Sequence, residues 1–531
     1  MNEHATVYLK SNVVAEPLLA RWYAWPHLIS PATCAMNVQW RHLRIMNSFI
    51  QAPDVHVQTL KNPRMLGGPF LDYPANRVDD IKRLLERTLD AQGPLIDFAK
   101  SVRDFHQILK RDATGYSLDS LYEKVPAPLK GYVELLYDVQ NQPSLRFYEA
   151  LLYKSPYYDR SAQSFAVHRI EDDHRSFLLS TPRLSSPNVL DLEMPFDDAA
   201  VDYLFGLRHK GEVFDAMCDK LNIQNDDKQV FRTFFTDTEP EAAESFADPG
   251  VRIRYFGHAC LLIQTREVSL LSDPVVSYQY AGGIPRYTYD DLPEEIDYVV
   301  ITHNHQDHVL LETLLRIRHK IKTLIVPRNG TGQLHDPSLK LMFRALGFSQ
   351  VIEIDELETL ELPGGQITAL PFSGEHADLG VRSKLCHLVR LGDTSILLAA
   401  DSSPVEPMLY EHVHKLVGDV DVLFLGMECD GAPLTWLYGP LLPDGISRDK
   451  DQSRRLAGCN CEQAMRLVSR FNPKAVYVYA MGQEPWLGYV MALRYSEESN
   501  PIVESNKLIS ECRRKGIVAE RLFGMKELRF A

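Results

Sequence analysis

The sequence predicts an α/β protein: a C-terminal region of sheets covered by helices on their outer faces, preceded by a mainly helical α+β N-terminal region. Three observations carry this. A chain of 531 residues is too long for one ordinary core, so two domains are the expectation. An acidic, proline-bearing stretch without apolar periodicity, Thr236 to Gly250, interrupts the chain. Before it the apolar spacing is helical; after it short β-rich runs alternate with helical ones.

In chain order, Val78, Ile81, Leu84, Leu85 and Leu89 recur at three- and four-residue spacing, with Asp79 and Asp80 in the first turn, where a helix dipole favours them. Gly93-Pro94 ends that segment, and a second helix places Leu95, Phe98, Ala99, Val102, Phe105 and Leu109 on one face. Trp22, Trp25 and Trp40 fit either a core or a partner surface. These elements give an N-terminal domain over residues 1–240, a linker over 241–250 and a second domain over 251–531. In the second domain, strands are expected at 252–256, 260–264, 268–272, 297–302, 323–326, 366–371, 386–391, 395–400, 420–425 and 475–479. Helices are expected at 309–319, 338–346, 404–416 and 462–471.

Composition narrows the function classes. The chain is 45% hydrophobic and 24% charged with both signs interspersed, as in soluble globular proteins. A net charge of −14 argues against nucleic acid as a partner. No stretch approaches the roughly 18 uninterrupted apolar residues of a membrane span, and the N-terminus has no basic region leading into an apolar core, so no secretory leader is expected. Eight scattered cysteines read as reduced thiols, which places the protein in the cytoplasm; Cys459 and Cys461 have no second pair with which to form a zinc knuckle.

The chemistry is carried by His303, His305, Asp307 and His308, a His-x-His-x-Asp-His run at the C-terminal end of an expected strand, where open α/β architectures place their sites. In an extended chain His303 and His305 point the same way and can share one metal ion. The turn into the following helix redirects Asp307 and His308 to a second ion. Imidazole with carboxylate suits zinc, iron or manganese. A buried strand ending in Asp401 offers a bridging carboxylate, and Phe372-Ser-Gly-Glu375-His376 offers either a carboxylate or an imidazole. Asp273 reads as a hydrogen-bond acceptor holding a ligand loop. Glu428 and Asp430 are candidates to line a pocket or to be solvated. Trp436 and Tyr438 are candidates to contact substrate or simply to pack.

Taken in order, Gly-His258-Ala, Ser-Asp273-Pro, the His303–His308 run, Gly-Glu375-His376 and Leu-Leu-Ala-Ala-Asp401 resemble the metallo-β-lactamase superfamily over residues 250–531, which implies an αββα sandwich. Its hydrolases usually carry a last histidine after the final strand, and here no histidine follows His414. With the long N-terminal region, this makes the whole chain resemble the diiron β-hydroxylases of nonribosomal peptide biosynthesis. The resemblance implies two iron ions, oxo-bridged when oxidised, with O2 as co-substrate, and hydroxylation of the β-carbon of an aminoacyl thioester on a synthetase carrier domain. It further implies an external reductase as electron donor and a homodimer formed through the N-terminal domain. Carried over by position, it gives His303, His305 and Glu375 to one iron, Asp307 and His308 to the other, and Asp401 to the bridge. Glu375 is favoured over His376 and is the expected catalytic residue.

Two other classes stay open. A zinc-dependent hydrolase of a lactone, phosphodiester or phospholipid shares the Gly-His258-Ala and Asp273-Pro274 motifs and predicts a colourless protein with a bound hydroxide. A scaffold that kept the fold and lost catalysis has only the absent last histidine in its favour.

Overall fold

The computed structural model describes residues 5–241 and 244–531. Ala242 and Ala243 of the expected linker lie outside them, as do residues 1–4, on which the reading of no leader rests in part.

The C-terminal half holds two seven-stranded sheets. In the first, Ser269–Ser272, Ile296–Val300, Ile321–Pro327 and Val351–Ile354 run parallel side by side, and Cys260–Gln264, Val251–Gly257 and Lys526–Phe530 extend the sheet antiparallel. In the second, Thr359–Leu362, Gly365–Pro371, Leu385–Leu391 and Thr394–Leu398 form an antiparallel meander, continued in parallel by Val422–Gly426, Ala475–Tyr479 and Val518–Arg521. The two sheets face one another. Ile253, Leu261, Ile263, Leu270, Val300 and Ile325 of the first meet Ile367, Val389, Ile396, Leu398, Val422 and Phe424 of the second in one dry layer. Helices Pro407–Val417, Cys461–Phe471 and Asn500–Arg514 cover the outer face of the second sheet. This is the expected αββα sandwich.

In the N-terminal half, Trp22–Tyr23, Val13–Leu19, Gln163–Arg169 and Leu190–Leu192 form an antiparallel sheet beside helices that include Val78–Ala91 and Gly93–Asp112. The break between those two helices falls where Pro94, lacking an N–H, is tolerated only in a first turn. Trp22 and Trp25 are core residues, whereas Trp40, in a π-helical turn over Val38–His42, is half-buried beside a groove described below.

The outer face of the first sheet is covered by Leu311–Ile317 and Leu339–Ala345, and the core there continues without interruption into the N-terminal half. Leu314, Leu315 and Phe343 belong to the same apolar cluster as Trp22, Phe49, Phe105 and Phe231. A buried polar network crosses the same surface. The Arg175 guanidinium donates to Glu16 and to both carboxylate oxygens of Glu312, and Glu312 also accepts from Tyr23 and Tyr278 at 2.9 and 2.8 Å. Arg183 donates to the other Glu16 oxygen at 2.7 Å. Glu312 lies in the helix that follows the histidine run, so the N-terminal half is tied directly to the element carrying the site.

Candidate metal centre

Ile296–Val300 ends as a buried central strand, and the next residues are held by Asp273. The Asp273 carboxylate accepts from the Thr302 amide at 2.8 Å, the Thr302 hydroxyl at 2.6 Å and His308 Nδ1 at 2.8 Å. It therefore fixes both ends of the histidine run, as expected of a residue that orients ligands. The amides of His308 and Val309 donate to the His305 carbonyl at 3.2 and 2.8 Å, a tight turn that separates His303 and His305 from Asp307 and His308. Helix Leu311–Ile317 begins two residues later than the sequence pattern suggests.

Loops from five other strand ends converge on this run. Non-glycine residues in the left-handed region concentrate in them: His258 (φ 52°), Asp273 (34°), Glu375 (66°), Ala377 (52°), Asp378 (57°), Ala400 (46°) and Ala480 (53°). Backbone of this kind costs about 1–3 kcal/mol per residue and persists where surrounding structure over-determines it, typically at functional sites. Gly426 has a different role. A Cβ there would lie well under 3.0 Å from Asp401 Oδ1, so the absence of a side chain makes room for that carboxylate.

All six residues expected at the centre come together, and all are buried. Glu375 Oε1 lies 2.7 Å from His305 Nδ1, and its Oε2 lies 3.8 Å from His303 Nε2. Asp401 Oδ2 lies 2.9 Å from His308 Nε2 and 3.8 Å from His303 Nε2, between the two halves of the run. Asp307 Oδ2 faces His258 Nε2 at 3.2 Å. Potential donor atoms thus fall into three overlapping groups: His303, His305 and Glu375; His303, His308 and Asp401; and His258, Asp307 and His308. His376 is in none of them. Its ring stacks on His305 at 4.4 Å and its Nδ1 lies 2.8 Å from Glu375 Oε2. His258 was visible in the sequence as part of a motif, but only the folded chain brings it against Asp307. Ala480, just after the strand Ala475–Tyr479, donates its amide to the His258 carbonyl at 2.8 Å.

The charges are those of a cation site. Burial opposes charge on His308, yet Asp273, Asp307 and Asp401 raise its pKa well above the usual imidazole value. Burial, reinforced by His308, drives His303 well below it. Burial would raise Glu375, but His305, His376 and His303 hold its carboxyl well below the ordinary range. Burial raises Asp401. His303 Nε2, His258 Nε2, Glu375 Oε2 and Asp401 Oδ1 are buried without a hydrogen-bond partner among the described residues. Buried polar atoms are rarely left unpaired, and four spread over these overlapping donor groups fit bound cations. The donor set, imidazole and carboxylate without thiolate, fits iron.

The remaining candidates separate. The Tyr438 hydroxyl lies 3.1 Å from His305 Nε2, whereas Trp436 faces the neighbouring groove. Glu428 is half-buried behind Asp401, and burial raises its carboxyl to about 7. Asp430 is exposed and accepts from Asn500.

Comparison with known proteins gives a consistent picture. Residues 8–240 match the family model described as the diiron non-heme β-hydroxylase N-terminal domain, and residues 269–479 match a β-lactamase superfamily domain. The chain is 40% identical, over 98% of its length and 99% of the relative's, to the 4-amino-L-phenylalanyl-[CmlP-peptidyl-carrier-protein] 3-hydroxylase of Streptomyces venezuelae. It superposes on the crystal structure of CmlA, a diiron β-hydroxylase from Streptomyces venezuelae, with a TM-score of 0.93 and 39% identity, covering 99% of this chain and 100% of that one. A variant of the same CmlA enzyme gives a TM-score of 0.90 at 38% identity, with the same coverage of both chains.

Proposed function

Because the chain belongs to the diiron non-heme β-hydroxylase family, we propose that it uses O2 to hydroxylate the β-carbon of an amino acid held as a thioester on the carrier domain of a nonribosomal peptide synthetase. The observation that carries this reading is the cluster of buried imidazole and carboxylate atoms in overlapping donor groups, several of them unpaired, in a chain that matches a carrier-protein aminoacyl hydroxylase over 98% of its length. His303, His305 and Glu375 would hold one iron, and Asp307 and His308, with His258 added to the set read from sequence, the other; Asp401 lies between them. Bound there, the two irons supply the redox chemistry that inserts one atom of O2 into a C–H bond.

The protein's own residues do the rest. Asp273 and Tyr438 fix the imidazoles of His308 and His305, and burial of the cluster excludes bulk water. Glu375, packed against His305 and His376, is the carboxylate whose replacement should impair the reaction most directly. The reading includes an external reductase as electron source, a homodimer formed through residues 1–240 and a cytoplasmic setting. No helix among the described residues is long and apolar enough to cross a membrane. Zinc hydrolysis has less support, since the family's N-terminal model matches here and no histidine follows His414.

The test is anaerobic reconstitution with ferrous iron, metal analysis and the visible spectrum, followed by chemical reduction and exposure to O2 with aminoacyl carrier proteins. About two irons per chain and an amino acid one oxygen atom heavier are expected. A colourless protein that retains about two zinc ions and refuses iron would overturn the reading.

A further inference from the structure

A groove of about 680 Å³ lies beside the metal centre, where the N-terminal half meets the short helix Leu434–Tyr438. That helix serves both places. Thr435 and Trp436 line the groove, whereas Tyr438, at the end of the same helix, carries the hydroxyl that reaches His305. Groove and metal centre are thus joined through one five-residue helix, a reach on the order of 10 Å with its side chains.

The groove is cationic in a chain of net charge −14. Arg41, Arg44 and Arg103 line it, and none of the three has an ion pair among the described residues. Arg41 is buried and donates to the Trp436 and Leu437 carbonyls at 2.7 and 2.9 Å, so it fixes the helix. Arg44 and Arg103 lie over the Trp40 ring, 5.0 and 3.8 Å from its centre. Arg44 is exposed, whereas Arg103 is half-buried with its Nε unpaired. Burial and then Arg44 lower the Arg103 pKa to about 10, with Asp444 pulling the other way. Trp40 Nε1 is also buried and unpaired. The sole carboxylate in the described lining, Asp444, is already engaged by Gln107 at 2.8 Å and Lys110 at 3.1 Å. Two guanidiniums that share one aromatic ring, with no carboxylate within ion-pair distance of either among the described residues, fit a phosphate-type anion, which their planar forks bind at two oxygens each.

The geometry points to this groove as the seat of the phosphate of a phosphopantetheine arm, with Arg44 and Arg103 as its ligands and the Trp40 ring as the aromatic contact they share. The inference rests on the proposed carrier-tethered substrate. Such an arm carries two amide units and reaches roughly 15–20 Å when extended. It can therefore span from the groove, past Tyr438, to place its thioester at the metal centre. The volume admits an arm of that size, and the apolar wall of Ile45, Phe70 and Leu442 suits its gem-dimethyl portion.

The test uses small probes on the iron-loaded full chain: 4′-phosphopantetheine, pantetheine and inorganic phosphate, with affinities measured by calorimetry for the wild type, Arg44→Glu and Arg103→Gln. The wild type is expected to bind phosphopantetheine at least about tenfold more tightly than either pantetheine or inorganic phosphate. Arg44→Glu, at an exposed position where folding is not at stake, should bring the first ratio to within about twofold, with pantetheine affinity and iron content unchanged. Arg103→Gln should do the same if it folds. Equal binding of phosphopantetheine and pantetheine, inorganic phosphate binding as tightly as the arm, or a preference that survives Arg44→Glu would each overturn the assignment. Failure of the hydroxylase reading is seen separately, as absence of oxygen transfer to any aminoacyl carrier by the wild type.

Discussion

Gly426→Ala isolates the role of Asp401 without touching a ligand. The glycine closes the strand Val422–Gly426, and its backbone lies in a region open to alanine, so the substitution acts through its Cβ alone. That atom would sit well under 3.0 Å from Asp401 Oδ1, with the Ala400 carbonyl at 3.0 Å and the Ala480 Cβ at 3.4 Å closing other directions. Carbon–oxygen contact needs more than about 3 Å, so the carboxylate has to retreat by about half an ångström or more. Metal–ligand distances tolerate about 0.2 Å. A displaced bridge should therefore weaken iron binding by roughly 10–100-fold, the range found when ligand-orienting groups are lost, while overpacking costs the apo-protein about 1–3 kcal/mol. The assay is iron per chain after anaerobic reconstitution against a competing chelator, with circular dichroism and a thermal melt to establish folding. A folded Gly426→Ala protein that binds about two irons with wild-type affinity would refute the placement of Asp401 at the cluster.

Two further outcomes follow from buried charge. Arg175→Met strips Glu312 of its guanidinium and leaves Glu16 with Arg183 and, at 3.9 Å, His168, so it should cost about 3–5 kcal/mol and lower the first thermal transition by several degrees, measured by calorimetry; a change below about 1 kcal/mol would mean the network is not a tie between the halves. Burial raises the Glu149 carboxyl to about 7 from 4.5, so its proton is held more tightly when folded. The stability this gives is full below pH 4.5 and is lost as pH rises through 7, amounting to about 3 kcal/mol. Glu149→Gln should escape that loss, so urea melts at pH 5 and 8 that shift in parallel for wild type and variant would contradict it.

Much of the sandwich was legible because its inner strands are mostly apolar: Cys260–Gln264 and Ala475–Tyr479 stand where their sequence places them. Thr359–Leu362 and Lys526–Phe530 escaped notice because they are edge strands, mixed in polarity and partly exposed, and Val518–Arg521 is likewise an edge. At the site, the His303–His308 run, Glu375 and Asp401 announce themselves by residue type at strand ends. His258 does not, since a lone histidine in a short motif becomes informative only once a loop with positive φ turns it towards Asp307. Trp40 and Arg44 stand four residues apart on one helical run, but Arg103 comes from the helix Gly93–Asp112 and reaches Trp40 only in the folded chain, so the group is not legible in the sequence.

The unbroken core between the N-terminal half and the first sheet bears on how such a protein can be engineered. Leu314, Leu315 and Phe343 have their apolar partners in the other half of the chain, and Glu312 has its counter-charge there. A graft of the metal-bearing half onto a different partner would have to reproduce that whole surface, its shape and its buried guanidinium alike. Exchanging substrates between relatives is therefore a matter of rewriting side chains within one scaffold, because the two halves are not interchangeable modules.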